Sequence, residues 1–224
     1  TASDLRKMST MSTSGPASAS VATATFTDAL GKVEVQAGAK ITTTEPRSVT
    51  DGGGYVMLLG TEVSNAGEIA TRKGQALLAA GDSFLIRKGV GTDGNTFSTT
   101  RGSEVAPQFV ADSTAGKVVN SGLLLAREGD ITLTGRDLRQ NGVAVATTTV
   151  NTRGTVHLLT SANDAKGTVR MGEGAVTAIV TEDDGKTTAL DSQRDALIKD
   201  SAALDQLRAL AAATSGRNFD NLST

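Results

Sequence analysis

Few side chains in this sequence could do chemistry. His157 is the one histidine among 224 residues. An imidazole is the usual general base near neutral pH, but that role needs an orienting carboxylate on one side and a nucleophile on the other. Glu173, Glu182, Asp183 and Asp184 form an acidic group towards the C-terminus, and glycoside hydrolysis needs two carboxylates at a defined separation. The run Glu182-Asp183-Asp184-Gly185 reads equally as a polar turn punctuated by glycine. Asp93-Gly94-Asn95 starts like a calcium loop, but the spaced ligands and closing glutamate do not follow, which favours a turn. Arg72, Arg127 and Arg153 each stand one or two residues before a glycine (Gly74, Gly129, Gly154). They predict a cationic ladder up one edge, suited to acidic glycans or simply to keeping an edge soluble. No residue is assigned a catalytic, cofactor-binding or metal-ligating role. The expectation is a protein that is not an enzyme and needs no cofactor.

The elements that hold these residues are legible from a repeat of about twenty residues. Gly54–Lys73 (GYVMLLGTEVSNAGEIATRK) aligns with the stretch from Gly129 (GDITLTGRDLRQNGVAVATT). Val56 then falls on Ile131, Leu58 on Leu133, Val63 on Leu138, Asn65 on Gln140 and Gly67 on Gly142. The pattern Gly-x-apolar-x-apolar recurs at Gly31, Gly54, Gly74, Gly129, Gly154 and Gly167. Its alternation is the period of a half-buried strand. A second pattern sets a polar amide and Gly ahead of a further strand, in SNAGEIA, NSGLLLA and RQNGVAV. Glycines recur at intervals of six or seven, each interval holding a strand and a turn. Three such sides predict a three-sided parallel β-solenoid, with corner glycines supplying positive φ.

The period also predicts faces. Two inward columns are expected: Val33/Val56/Ala76/Ile131/Val156/Val169 and Val35/Leu58/Leu78/Leu133/Leu158/Met171. A third stacks Val63, Val118 and Leu138, and a fourth Ile69, Leu124 and Ala144. Glu34, Met57, Leu77, Thr132, His157 and Arg170 are expected to face solvent. Asn65, Asn120 and Gln140 share a turn column, where stacked amides would bond from coil to coil.

Three segments fall outside the period. Residues 1–28 are Ser-, Thr- and Ala-rich and read as a flexible or edge segment. An excursion spans about 87–115, with short strands expected at Phe97–Thr99 and Gln108–Val110. The β-helix domain is expected over 29–186, and 187–224 as a C-terminal helix and tail. Within that tail, Ser192-x-x-Asp195 is placed like a capping box. Leu190, Leu197, Leu204 and Ala211 recur every seven residues, and Leu207 and Leu210 widen the stripe.

Bulk composition agrees with a stacked aliphatic core. Aromatics make up 3% of the chain, Trp is absent, and 25 glycines stand against 3 prolines. With no Cys, disulfides and thiolate chemistry are excluded. A formal charge of -2 points away from nucleic acid and anionic membranes.

The stretch Gly52–Ile86 (GGGYVMLLGTEVSNAGEIATRKGQALLAAGDSFLI) resembles the coils of filamentous-haemagglutinin-type exoproteins of two-partner secretion. The xVxNxGxIxAxxGxVxLxAG rhythm is carried by Val63, Asn65, Gly67, Ile69, Gly74, Leu78 and Gly81, and is repeated less perfectly over Val118–Gly135. The resemblance covers about Gly31–Val180. It implies a right-handed parallel β-helix and export through an outer-membrane transporter. It also implies a secreted or outer-membrane surface location in a Gram-negative bacterium. The implied role is adhesion, with a host receptor or glycan as partner and a monomeric state. The family's Asn-Pro secretion motifs do not occur in this chain. Two other readings remain at this stage: a polysaccharide-acting β-helix enzyme built on the Glu182–Asp184 turn, and a secretion-targeting module.

Overall fold

The computed structural model describes residues 23–46, 53–88, 102–149, 153–161 and 164–182, and these are all-β. Four sheets account for seventeen strands among the described residues. The first parallel sheet runs β2 (Lys32–Val35), β5 (Glu62–Asn65), β10 (Lys117–Asn120), β13 (Asp137–Gln140), β16 (Thr168–Met171). The second runs β3 (Lys40–Thr42), β6 (Glu68–Arg72), β11 (Leu123–Arg127), β14 (Val143–Thr148), β17 (Val176–Thr181). The third runs β4 (Tyr55–Gly60), β7 (Gln75–Ala80), β12 (Asp130–Gly135), β15 (Thr155–Thr160). A separate antiparallel sheet joins β1 (Thr23–Phe26), β8 (Ser83–Lys88) and β9 (Ser103–Gln108). The chain visits the three parallel sheets in rotation, so each strand pairs with one from the previous round.

The three parallel sheets share one core. Val63, Val118 and Leu138 come from the first sheet, Ile69, Leu124 and Ala144 from the second, and Ala76, Leu78, Ile131 and Leu133 from the third. All are 0–1% exposed. Each such Leu, Ile or Val contributes about 1.5–3 kcal/mol relative to exposure. Small aliphatic side chains suffice because identical positions stack on one another every round.

The strand register upholds part of the expected columns and corrects the rest. Val56, Ala76, Ile131 and Val156 are paired in sequence across the third sheet, as are Leu58, Leu78, Leu133 and Leu158. The third and fourth expected columns also hold. Val33 and Val169, however, belong to the Val63 column, and Val35 and Met171 to the Asn65 column. The Gly-x-apolar-x-apolar rhythm is the same in two different sheets, so rhythm alone could not assign a strand to its sheet.

Between β7 and β12 the chain makes one round interrupted by the β8–β9 hairpin. Asn65 and Asn120 are therefore 55 residues apart while Asn120 and Gln140 are 20 apart. The excursion begins at β8, earlier than residue 87, and its second strand is Ser103–Gln108 rather than Gln108–Val110. Thr23–Phe26 is an edge strand on the same hairpin. The other expected strand, Phe97–Thr99, and the helix over 192–213 lie outside the described residues.

The hairpin alters one sheet face. Phe84, Ile86 and Val105 pack with Leu77, Ala79, Met57 and Leu59 over the outer side of the third sheet. Leu77 is 0% exposed and Thr132 7%, and Met57 is half-buried, so these three do not face solvent as expected. Glu34, His157 and Arg170 do.

The repeat glycines also act differently from expectation. Among the described residues, glycines with positive φ are Gly38, Gly102, Gly116 and Gly174, none of which is among the glycines of the repeat. At the corner, the left-handed residues are Lys73 and Glu128, each at φ 49. The glycines are required by close approach: a Cβ on Gly122 would stand 2.1 Å from the Gly67 carbonyl oxygen, and one on Gly142 would stand 2.3 Å from that of Gly122.

Candidate functional site

The hairpin and the loop after it stand apart from the stacked strands, and they form the candidate site. Gln75, the first residue of β7, clamps the hairpin onto the third sheet. Its Nε2 donates to the Ser103 carbonyl at 2.9 Å, and its Oε1 accepts from the Ser103 amide at 2.9 Å. Asp82 organises the following loop, its carboxylate accepting from the Val110 amide at 2.9 Å and the Ser113 hydroxyl at 2.7 Å.

Arg136 ties that loop to the next round. Its guanidinium lies 4.3 Å over the Phe109 ring, donates to the Ser113 carbonyl at 2.6 Å and pairs with Asp164. The stacked, bonded fork is a use of Arg that Lys cannot copy. Arg136 holds the Asp164 carboxyl below the usual carboxylate range. An open cleft of about 280 Å³ runs between Phe109–Asp112 on one side and Ser161, Asp164 and Lys166 on the other, over this arginine. Asp112 and Lys166 are exposed on it. Its groups have both signs and both hydrogen-bonding roles, which suits a neutral polyhydroxyl ligand better than a strong anion.

His157 lies elsewhere, exposed on β15. Its Nε2 is 3.0 Å from the Thr155 hydroxyl, which in turn donates to the buried Asp130 carboxylate. A hydroxyl has one proton, and here it goes to the carboxylate. The imidazole nitrogen is therefore the donor to Thr155, and the order is the reverse of an activated nucleophile. Sequence reading missed Thr155 and Asp130. They occupy the register position just before Ile131 and Val156, so correct strand alignment would have found them.

The acidic group is not assembled among the described residues. Glu182 is 7% exposed and bound by Arg127, whose Nε donates at 2.8 Å. Its hydrogen bond raises the Arg127 pKa further. Glu173 is exposed on another turn. Asp183, Asp184 and Asp93-Gly94-Asn95 lie outside the described residues. No group of three or more His, Asp and Glu side chains fit to hold a metal ion occurs among the described residues.

The arginine ladder is neutralised and broken. Arg72 and Arg127 are register partners, paired with Glu45 and Glu182 respectively. Arg153 is exposed just ahead of β15, on the third sheet and not the second, and so stands off the ladder. Lys73 reaches Glu128 at 3.8 Å. On the first sheet, Lys32, Glu62, Lys117 and Asp137 form a column of alternating sign. Glu62 takes Lys117 at 2.7 Å and Lys32 at 2.8 Å, and these hydrogen bonds pull its pKa down to about 2. Arg139 and Arg170 pair with Asp137. These faces are charge-balanced, which favours solubility over capture of polyanions.

Asn65, Asn120 and Gln140 are buried inside the stack. Asn65 Nδ2 donates to Asn120 Oδ1 at 2.8 Å, and Asn120 Nδ2 to Gln140 Oε1 at 2.9 Å. Each amide nitrogen also reaches a carbonyl of the next round: Leu123, Val143 and Val176. Comparison with protein-family models, curated proteins and solved structures finds no match to the chain.

Proposed function

We propose that this chain is a non-enzymatic segment of a large secreted adhesin, built as a right-handed, three-sided parallel β-helix of about twenty residues per coil. The observation that carries the reading is the amide column. The Asn of the haemagglutinin-like rhythm occupies the same inward position in successive rounds and bonds to its counterpart. Rotation of the chain through three parallel sheets around one core supports the coil. The stack extends and displays the hairpin, whose cleft is the contact surface for a cell-surface glycan or receptor. Export through a two-partner-secretion transporter at a Gram-negative outer membrane follows from the same resemblance. In the polysaccharide-cleaving alternative, Glu182 would need a mobile proton, whereas here it is buried against Arg127.

The test combines shape with adhesion. Circular dichroism should be strand-dominated and scattering should give an elongated particle. Beads coated with the chain should adhere to epithelial cells, and replacing residues 89–101 by a short Gly-Ser turn or Lys166→Glu should reduce adhesion without changing the spectrum. A compact radius or helix-dominated spectrum would remove the coil. Undiminished adhesion in both variants would remove the hairpin's role.

A further inference from the structure

The last described round leaves its inward side chains uncovered. β16 and β17 are end strands of the first and second sheets. Val169 and Met171 on β16, and Ile179 on β17, continue inward columns occupied one round earlier by Leu138, Gln140 and Ala146. Those three are 0–1% exposed, whereas Val169, Met171 and Ile179 are 43%, 50% and 53% exposed. A finished stack of repeats closes on a polar cap. Here the inward positions are apolar, Thr177 apart, and lie beside two strand edges, which are templates for further pairing.

We propose that this end docks the first round of a second copy of the chain, head to tail. β2 and β3 of one molecule then extend the first and second sheets of another. The register fixes the pairs. The column Val33, Val63, Val118, Leu138, Val169 sets Val33 of the second copy next after Val169. The column through Val35 and Met171 likewise sets Val35 of the second copy after Met171. In the second sheet, Ile41 of the second copy follows Thr177. Each step is the spacing of about 4.8 Å between neighbouring strands.

Charge selects this occupant. Arg139 and Arg170 are register neighbours of like sign, and both draw on Asp137. Their outward column begins at Glu34, which is exposed. Head-to-tail stacking sets Glu34 of the second copy directly beyond Arg170. Joining two last rounds would bring two Arg170 side chains to one seam. The sequence after β17 does not repeat the Gly-x-apolar-x-apolar rhythm, so no later stretch of this chain matches the edge as its first round does. That first round is receptive: Lys32, Glu34 and Lys40 are exposed, and Val33 and Ile41 are only partly buried. The third sheet stops at β15, one strand short of the others, so the junction is carried by the first two sheets. Because the two ends differ, association is heterologous and open-ended. It does not involve the hairpin's cleft.

Sedimentation of the full chain should show an average mass that rises with concentration to about twice the monomer or beyond. Met171→Lys with Ile179→Lys should hold the chain monomeric with an unchanged circular dichroism spectrum, since both side chains are already half exposed. Arg170→Glu should weaken association several-fold, and Arg170→Glu with Glu34→Arg should restore it. The chain has no Cys, so Glu34→Cys with Arg170→Cys should give a ladder of disulfide-linked multimers on mild oxidation, the two positions standing within disulfide reach across the junction. A monomeric mass at every concentration would overturn the proposal. So would association that survives Met171→Lys with Ile179→Lys, a charge exchange that fails to restore it, or linked dimers from Arg170→Cys alone.

Discussion

Asn65 and Asn120 are 55 residues apart in the chain and bonded amide to amide at 2.8 Å, both no more than 1% exposed. The bond joins two successive rounds across the whole hairpin insertion. Because Asn120 passes its own amide to Gln140, the column is a chain of mutually satisfied buried groups. Such a chain stabilises only while every member is present.

Asn120→Ala should therefore be costly. It leaves the Asn65 nitrogen and the Gln140 oxygen each short of a partner, at about 1–3 kcal/mol apiece. Denaturant unfolding should show a loss of about 2–5 kcal/mol. A loss below half a kcal/mol would mean that the column is not a source of stability.

Gly122→Ala should be severe for a steric reason. The new methyl would meet the Gly67 carbonyl oxygen at 2.1 Å, and the neighbours are backbone, which cannot swing aside. A loss of about 3 kcal/mol or more is expected, from forced separation of two rounds. Gly31→Ala has open space around it and no positive φ, so it should be neutral within about half a kcal/mol. Equal Tm shifts for the two would remove close approach as the reason for the repeat glycines.

Leu77 and His157 flank Thr132 on one face of the third sheet, and they should respond oppositely to the same new charge. Leu77→Lys sets an ammonium under the hairpin at a fully buried site, costing about 3–5 kcal/mol. Limited proteolysis should then cut within 81–110 at low protease. His157→Lys should leave both stability and cleavage unchanged. Protection of the hairpin in Leu77→Lys would show that it does not dock there.

Acid should loosen the first sheet's outer face through Glu62. Its folded pKa, about 2, lies below the ordinary 4.5. A depressed carboxylate contributes stability that is fully present above the unfolded value and lost as pH falls through the folded one. Asp137 and Asp164 are shifted in the same direction. Melting curves should thus be flat above about pH 5 and fall between about pH 4.5 and 2. Glu62→Gln should shrink that acid-dependent drop by about 1 kcal/mol, the scale of a partly exposed pair. An unchanged acid slope in Glu62→Gln would assign the loss to other groups.

The alternation of apolar residues and the twenty-residue spacing were enough, read alone, to find most strands of the three parallel sheets and the inward columns of the third sheet, but not β3, β17 or the hairpin strands. They also placed Asn65, Asn120 and Gln140 in one column, because a stacked repeat keeps chemically equal residues at equal positions. Those are local properties, written once per round. What depended on the tertiary structure was everything set by which strand lies beside which. β2 and β16 share the rhythm of the third sheet but sit in the first, because pairing, and not rhythm, chooses the neighbour. Leu77 and Thr132 look outward by period and are buried because the hairpin folds back over this face, where Phe84 and Val105 cover an apolar surface. Thr155 and Asp130 join His157 only through register. The glycines were recognisable as necessary from their spacing. Their reason, the carbonyl of the round below, appears only once the rounds are stacked.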